Sequence, residues 1–359
     1  MMTKNRLLRL RAVMAKEKYS AVVIVKEANL RYFSGFSGDS ATLVITPKAA
    51  LIITDSRYTE QAKKEAEGFA VAEQKDGLLK KTAECVAELN CKNVAFEGNG
   101  IIYDDFRVLQ KNAENIDKSI KFIPAKFDDL RVAKDESEIA LIKKACEIAD
   151  AAFAEIIGFI RPGLRENEVA ARLEYIMRQK GSEKTAFLTI VASGVRGSLP
   201  HGTSTNKLIN EGEFVTMDFG AVCGGYCSDM TRTVCVGKAD NRQKEVYAAV
   251  LAAQKTGLCA LAAGKSGVEV DKAARDSLGE YAKYFGHSLG HGVGLEIHED
   301  PRLSPKSKCE SLPENAIITV EPGVYIEGWG GIRIEDTTLV KKGKSERLTL
   351  STKELIEIY

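Results

Sequence analysis

The chain has 359 residues, of which 44% are hydrophobic and 28% charged, and its formal net charge is +1. That length exceeds one ordinary hydrophobic core, so two domains are expected. The near-neutral charge gives no general electrostatic reason to hold nucleic acid or an anionic membrane, and no apolar run approaches the length of a membrane span.

From the N-terminus, residues 1–16 carry Lys4, Arg6, Arg9 and Arg11, charges that interrupt the apolar core a signal peptide needs. An amphipathic first helix is the better reading. Residues 20–25 and 41–54 are rich in Val, Ile and Leu, the second run turning at Pro47 and Lys48. Residues 56–66 and 77–89 have helical spacing, and 93–96 is again strand-like. This predicts a small mixed α/β domain over residues 1–125, followed by a second domain over 126–359. Asp135 and Glu136 then open a long helix with Ile139, Ile142, Ala145, Ile148 and Ala149 on one face.

The second domain reads as an internal duplication. A long helix leads to Arg161-Pro162-Gly163 and a helix with Val169, Ala170 and Leu173. A long helix over 243–263 leads to Gly264 and a helix with Val270, Ala273 and Leu278. Each helix pair precedes a hydrophobic hairpin, 214–236 and 317–340. Two helix–helix–hairpin halves predict a pseudo-two-fold α+β domain with its hairpins facing one another. The eight cysteines are scattered, and Cys223 and Cys227 lack a second pair at zinc-site spacing. Reduced thiols in a cytoplasmic protein are the expectation.

Each hairpin carries a pair of carboxylates set about its glycine turn. Asp218 and Asp229 average to a point between Cys223 and Gly224, beside the natural turn Gly224-Gly225. Glu321 and Glu335 average to Gly328. In a regular hairpin such residues lie opposite each other, with Cβ atoms roughly 4.5–5.5 Å apart. Asp218 sits in Phe-Val-Thr-Met-Asp-Phe-Gly and Glu321 in Ile-Ile-Thr-Val-Glu-Pro-Gly, apolar settings that imply burial. Like charges opposed in a low-dielectric interior repel or protonate unless a cation holds them. Four carboxylates balance two divalent cations in formal charge.

All four histidines fall in this domain: His201 in a loop after Ser-Leu-Pro, and His287, His291 and His298 in one glycine-rich stretch. The helical zinc-protease motif His-Glu-x-x-His is absent. Asp218, Asp229, His291, Glu321 and Glu335, in that order, resemble the five metal ligands of the pita-bread metallopeptidases. That family includes aminopeptidase P, prolidase, methionine aminopeptidase and the metal-free creatinase. Pro200-His201-Gly202, Met217-Asp218-Phe219-Gly220, Ser228-Asp229-Met230-Thr231-Arg232-Thr233, Glu321-Pro322-Gly323 and Gly331-Ile332-Arg333-Ile334-Glu335-Asp336 carry the likeness. Residues 1–125 resemble the creatinase-type N-terminal domain through the stretch from Tyr32 to Asp39 and through Asp55-Ser-Arg-Tyr58.

The resemblance implies a pita-bread catalytic domain holding two divalent ions per subunit. His291 and Glu321 would hold one, Asp218 the other, with Asp229 and Glu335 between them. The hard, oxygen-rich set suits Mn²⁺ first, with Co²⁺ or Zn²⁺ admissible. Glu321 would pass a proton to the leaving nitrogen, while His201 and His298 would stabilise developing charge. His287 would shape the proline pocket, with Tyr325 and Arg333 orienting ligands. Asp39 would receive the substrate's amino group or reach an opposing subunit in a homodimer. The implied activity is hydrolysis of the bond between an N-terminal residue and proline, on a dipeptide or something longer. The alternatives are a methionine aminopeptidase-like enzyme and a catalytically silent pita-bread binding protein. Neither nucleic acid nor membrane is expected as a partner.

Overall fold

The computed structural model describes residues 2–359, which divide into one compact unit ending at Arg131 and another running from Val132 to Tyr359. The first unit contains α1 (Met2–Glu17), β1 (Ala21–Ile24), α2 (Glu27–Ser34), β2 (Ala41–Ile45), β3 (Ala50–Thr54), α3 (Thr59–Glu65), β4 (Ala70–Glu73), α4 (Leu78–Glu88), β5 (Asn93–Glu97), α5 (Tyr103–Ile116) and β6 (Lys121–Ala125). Its six-stranded sheet has the order β4-β3-β2-β1-β5-β6 among the described residues. The β2–β3 hairpin is antiparallel, whereas β1, β5 and β6 run parallel. Val23, Val44, Val94 and Phe96 of the sheet pack against Val86 of α4 and Leu109 and Ala113 of α5.

The unit continues past Ala125, where the sequence reading divided the chain. Asp128 accepts hydrogen bonds from Asn29 Nδ2 at 3.0 Å and Lys26 Nζ at 3.1 Å. These bonds tie the turn Asp128–Arg131 to the start of α2, and the division follows Arg131.

The second unit begins with α6 (Glu136–Ile156), whose start carries a capping box. The Asp135 carboxylate accepts from the Ser137 and Glu138 N–H groups, and Glu138 accepts from Asp135 N–H. There follow α7 (Glu166–Gln179), β7 (Ile190–Ser193), β8 (Phe214–Phe219), β9 (Val222–Cys223), β10 (Tyr226–Cys227) and β11 (Met230–Val236). The second half has α8 (Asn241–Ala260), α9 (Gly267–Ser277), β12 (Gly290–Gly292), β13 (Glu299–Leu303), β14 (Ile317–Val320), β15 (Gly323–Ile326), β16 (Gly330–Arg333), β17 (Asp336–Lys341) and β18 (Lys344–Arg347). Strand β19 (Glu357–Ile358) closes the chain.

The duplication is visible in the backbone. Gly163 and Gly264 both adopt φ of 88°. Gly163 N–H donates to Ile209 and Gly264 N–H to Leu312, each at 2.9 Å, and each acceptor precedes its hairpin by the same distance in sequence. Helices α6 and α7 pack Ile148, Phe153, Val169 and Leu173 on Val215, Met217 and Val234 of the first hairpin. Helices α8 and α9 pack Val246, Val250, Val270 and Ala274 on Ile318, Val320 and Val340 of the second. Side chains alternate in direction along a strand. The hairpin faces turned away from the helices are therefore the ones free to build a site.

Candidate metal centre and catalytic cavity

The first hairpin turns through Gly224-Gly225, whose φ values of 58° and 80° suit the two-residue turn that matches strand twist. Its ladder pairs Tyr226 with Cys223, Met230 with Phe219 and Thr231 with Asp218. The turn is thus centred one residue later than the carboxylate numbering suggested. Asp218 faces Thr231, and Asp229 is its diagonal neighbour on the same face, so direct opposition of the two aspartates is corrected. In the second hairpin Gly323 pairs with Arg333 and Val320 with Asp336. Glu321 and Glu335 lie at the same register, between the two ladders.

Asp218, Asp229, His291, Glu321 and Glu335 line one cavity of about 500 Å³. Asp229, His291 and Glu335 are buried and offer ligand atoms that all lie within 4.8 Å of one another. His291 Nε2 is 3.5 Å from Asp229 Oδ2 and 3.4 Å from Glu321 Oε1. Strand β12 brings His291 in because glycine flanks it: a Cβ at Gly290 would lie 1.9 Å from the Thr319 carbonyl oxygen. His291 Nδ1 donates to the Gly292 carbonyl at 3.0 Å, which leaves the Nε2 lone pair aimed at the carboxylates. Burial holds this imidazole at a pKa of about 3, hence neutral.

The remaining polar groups form a chain of donors behind the carboxylates. Arg333 donates to Asp218 Oδ2 at 2.6 Å, to the Thr231 hydroxyl at 3.0 Å and to the Tyr325 hydroxyl at 2.9 Å. Thr231 in turn donates to Glu335 Oε2 at 2.6 Å. Tyr325 donates to His287 Nε2 at 2.8 Å, because His287 Nδ1 is committed to the Ser288 carbonyl. Burial, reinforced by Arg333, depresses the His287 pKa to about 4. Tyr325 therefore reaches the cavity only through His287 and Arg333.

Two buried oxygens, Asp218 Oδ1 and Glu335 Oε1, have no hydrogen-bond partner among the described residues. Burial first, and then neighbouring carboxylates, push Asp229 and Glu335 well above the carboxylate range. Burial likewise raises Glu321 to about 8. A donor set of one neutral imidazole and several crowded, under-bonded carboxylates fits divalent cations, which satisfy the orphaned oxygens and offset the repulsion.

His201, His287 and His298 also line the cavity, together with the apolar side chains of Phe187, Leu188, Ile190, Pro200 and Ile297. Burial and Arg302 lower the pKa of His298. Asp39 lies in the first unit, where its Oδ1 accepts from the Tyr58 hydroxyl at 2.7 Å, and it lines a different cavity.

Three contributors escaped the sequence reading. Thr231 and Thr319 each stand two residues from a carboxylate, Asp229 and Glu321, that flanks the threonine's strand, so period-two spacing marks them as sharing its face. Thr319 accepts from His291 N–H at 3.0 Å and donates to Glu321 Oε1 at 3.2 Å. Arg302 pairs with His291 across β12 and β13 and lines the cavity. Its side chain makes no hydrogen bond or ion pair among the described residues. Nothing in its local sequence, Asp300-Pro301-Arg302-Leu303, distinguishes it from a surface arginine.

Comparison with known proteins agrees with this geometry. Residues 140–342 match the model of metallopeptidase family M24, and residues 6–133 match the creatinase/prolidase N-terminal domain. The Xaa-Pro dipeptidase of Pyrococcus furiosus is 42% identical over 360 residues, covering 98% of this chain and all of that protein. Among solved structures, the Xaa-Pro dipeptidase from Bacillus anthracis is 41% identical and superposes with a TM-score of 0.93 over 99% of both chains. The X-Pro aminopeptidase from Thermotoga maritima is 40% identical with a TM-score of 0.88, covering 95% of this chain and 98% of that one. No helix among the described residues is long and apolar enough to cross a membrane. The match spans both units, and the chain belongs to metallopeptidase family M24, with a creatinase/prolidase N-terminal domain ahead of its catalytic domain.

Proposed function

We propose that the protein hydrolyses the bond between an N-terminal residue and proline, with dipeptides as its preferred substrates. The carrying observation is the cavity itself, where five prospective ligands, three further histidines, an apolar wall and one uncommitted guanidinium converge. Relatives named Xaa-Pro dipeptidase, similar over the full length, support the proline preference. The creatinase-type N-terminal domain also favours this reading over a methionine aminopeptidase. A silent binding protein would need neither the complete ligand set nor the histidines.

Asp218, Asp229, His291, Glu321 and Glu335 are the residues proposed to hold two divalent ions, Mn²⁺ being the best match to so oxygen-rich a set. When bound, such ions supply an activated water and polarise the scissile carbonyl. The chain's own groups do the rest. Thr319 fixes Glu321 Oε1, placing a carboxylate that can carry a proton to the departing proline nitrogen. His201 and His298, on the open side of the cavity, are placed to donate to charge as it develops. His287, locked between Ser288 and Tyr325, forms a fixed wall for the ring. The Arg302 guanidinium suits the free carboxylate of a dipeptide.

His201→Ala and His298→Ala should each lower kcat by about 10²–10³, the usual loss for one such donor. Metal content should stay near that of the unmodified protein. A variant that loses its metal while remaining folded would reassign that histidine.

Arg302→Ala should raise KM for an Xaa-Pro dipeptide by about tenfold, as expected for one charge-assisted bond. Amidating the substrate's C-terminus should cost the unmodified enzyme a similar factor and cost the variant nothing further. Equal losses on amidation in both proteins would show that another group reads the carboxylate, and insensitivity of both would favour the longer-substrate aminopeptidase reading.

The proposal extends to a cytoplasmic homodimer in which Asp39 borders a partner's cavity. Eight free cysteines and a hydrogen-bonded, exposed Asp39 are consistent with it.

A further inference from the structure

Behind the metal centre lies a second polar cluster that no part of the proposed chemistry uses. Its hub is Asp336, which follows Glu335 in sequence and is fully buried. Asp336 Oδ1 accepts from Arg232 at 2.8 Å and from the Thr349 hydroxyl at 3.0 Å. Oδ2 accepts from Lys353 at 2.7 Å and from Gln254 at 2.9 Å. Arg232, Gln254 and Lys353 are themselves buried. Four separate segments, namely β11, α8, the start of β17 and the stretch 349–353, therefore meet on one carboxylate.

The contacts that leave this hub end on the main chain of prospective metal ligands. Arg232 donates to the Glu335 carbonyl oxygen and also to the Ser351 and Thr352 carbonyls, the latter two at 2.9 and 3.0 Å. The Thr337 hydroxyl donates to the Asp229 carbonyl at 2.7 Å and accepts from Asp229 N–H at 3.2 Å. Thr337 N–H donates in turn to Thr349. The stretch 349–353 is anchored from its far side by Asp150 of α6, which accepts from Leu350 N–H at 2.7 Å and Ser351 N–H at 2.8 Å.

We propose that the Asp336 hub and the C-terminal stretch 349–353 form a positioning frame, which clamps the peptide groups of Asp229 and Glu335 so that both carboxylates stay aimed at the metal. These two residues come from different hairpins, and each lies beside a break in its ladder, between strands. Neither belongs to a ladder: apart from the Glu335 N–H bond to the Thr231 carbonyl at 3.1 Å, their peptide groups rest on Arg232 and Thr337 among the described residues. Groups buried in a low-dielectric interior with every partner satisfied resist displacement, which is what an alignment device requires. Arg232 and Thr337 act through the ligands they hold, and Lys353 acts one step further back, through Asp336. The proposal rests on the metal-binding reading of the cavity.

The test uses Thr337→Val, Thr337→Ser and Lys353→Met in the full chain. Each protein is stripped with a chelator and titrated with Mn²⁺ by calorimetry, and the thermal unfolding of the stripped protein is recorded alongside. Thr337→Val and Lys353→Met are expected to bind Mn²⁺ about tenfold or more weakly, the usual cost of losing a group that orients a ligand. Thr337→Ser, which keeps the hydroxyl, should bind as the unmodified protein does. Should one substitution prevent folding, the other decides the question. Mn²⁺ affinity within twofold of the unmodified protein in Thr337→Val and Lys353→Met, with only the unfolding temperature lowered, would overturn the frame and leave a purely structural cluster. Failure of the unmodified protein to bind Mn²⁺ would instead overturn the metal-centre reading, and the frame with it.

Discussion

Glu335→Gln is expected to lower kcat/KM on an Xaa-Pro dipeptide by about 10³ or more, since loss of a metal site forfeits several kcal/mol of transition-state stabilisation. The substitution keeps the side chain's volume and removes its charge. Glu335 is buried at 1% exposure, has one oxygen without a hydrogen-bond partner among the described residues, and is crowded by Glu321 and Asp218. Without metal, that carboxylate is a burden on the fold. The stripped variant should therefore melt at the same temperature as the stripped parent or higher. The metal-loaded parent should melt above both, because an ion that binds only the folded state stabilises it by mass action. Inverse effects on stability and activity would be hard to reconcile with an ordinary packing role for Glu335. A variant with parental metal content and kcat/KM within threefold of the parent would remove Glu335 from the site.

Matched Xaa-Pro and Xaa-Ala dipeptides should differ in kcat/KM by about a hundredfold or more. Proline brings a fixed φ near −65° and so loses little conformational freedom on binding. Phe187, Ile190, Ile297 and the hydrogen-bonded His287 line the cavity and, on the proposed function, would offer that ring an apolar wall. An alanine analogue would leave part of that space empty and bring an extra N–H to it. A void plus an unpaired donor costs on the order of several kcal/mol, enough for discrimination of that size. Efficient release of methionine from Met-Ala-Ser, with no turnover of proline substrates, would reverse the assignment.

The parts of the site legible in the sequence were those that repeat. Glu321 and Glu335 fall at symmetric positions because three residues, Glu327, Gly328 and Trp329, join a regular ladder, so their numbers alone gave the register. Asp218 and Asp229 did not, since the turn is Gly224-Gly225 and its centre follows the midpoint of the two aspartates. A one-residue shift in the centre moves a partner by two positions, enough to place Thr231 opposite Asp218. The duplication of helix, glycine and hairpin was legible because a helix pair and a sheet face bury one another with fixed periods. The division after Arg131 was not, because it depends on Asn29 and Lys26 capturing Asp128 across about a hundred residues of chain, which no local pattern announces. Arg302 and the Asp336 cluster were hidden for the same reason. Their significance lies in what surrounds them in space, and a buried lysine such as Lys353 is indistinguishable in sequence from a solvated one.

If the cavity hydrolyses proline-containing peptides with metal held by Asp218, Asp229, His291, Glu321 and Glu335, removing the metal must stop turnover. The most direct test is hydrolysis of an Xaa-Pro dipeptide by protein stripped with a chelator, followed by stepwise addition of Mn²⁺. The stripped protein should show no turnover, and recovery should saturate at two ions per chain. Undiminished hydrolysis by metal-free protein, or Mn²⁺ bound to the cavity with no cleavage of any Xaa-Pro peptide, would contradict it.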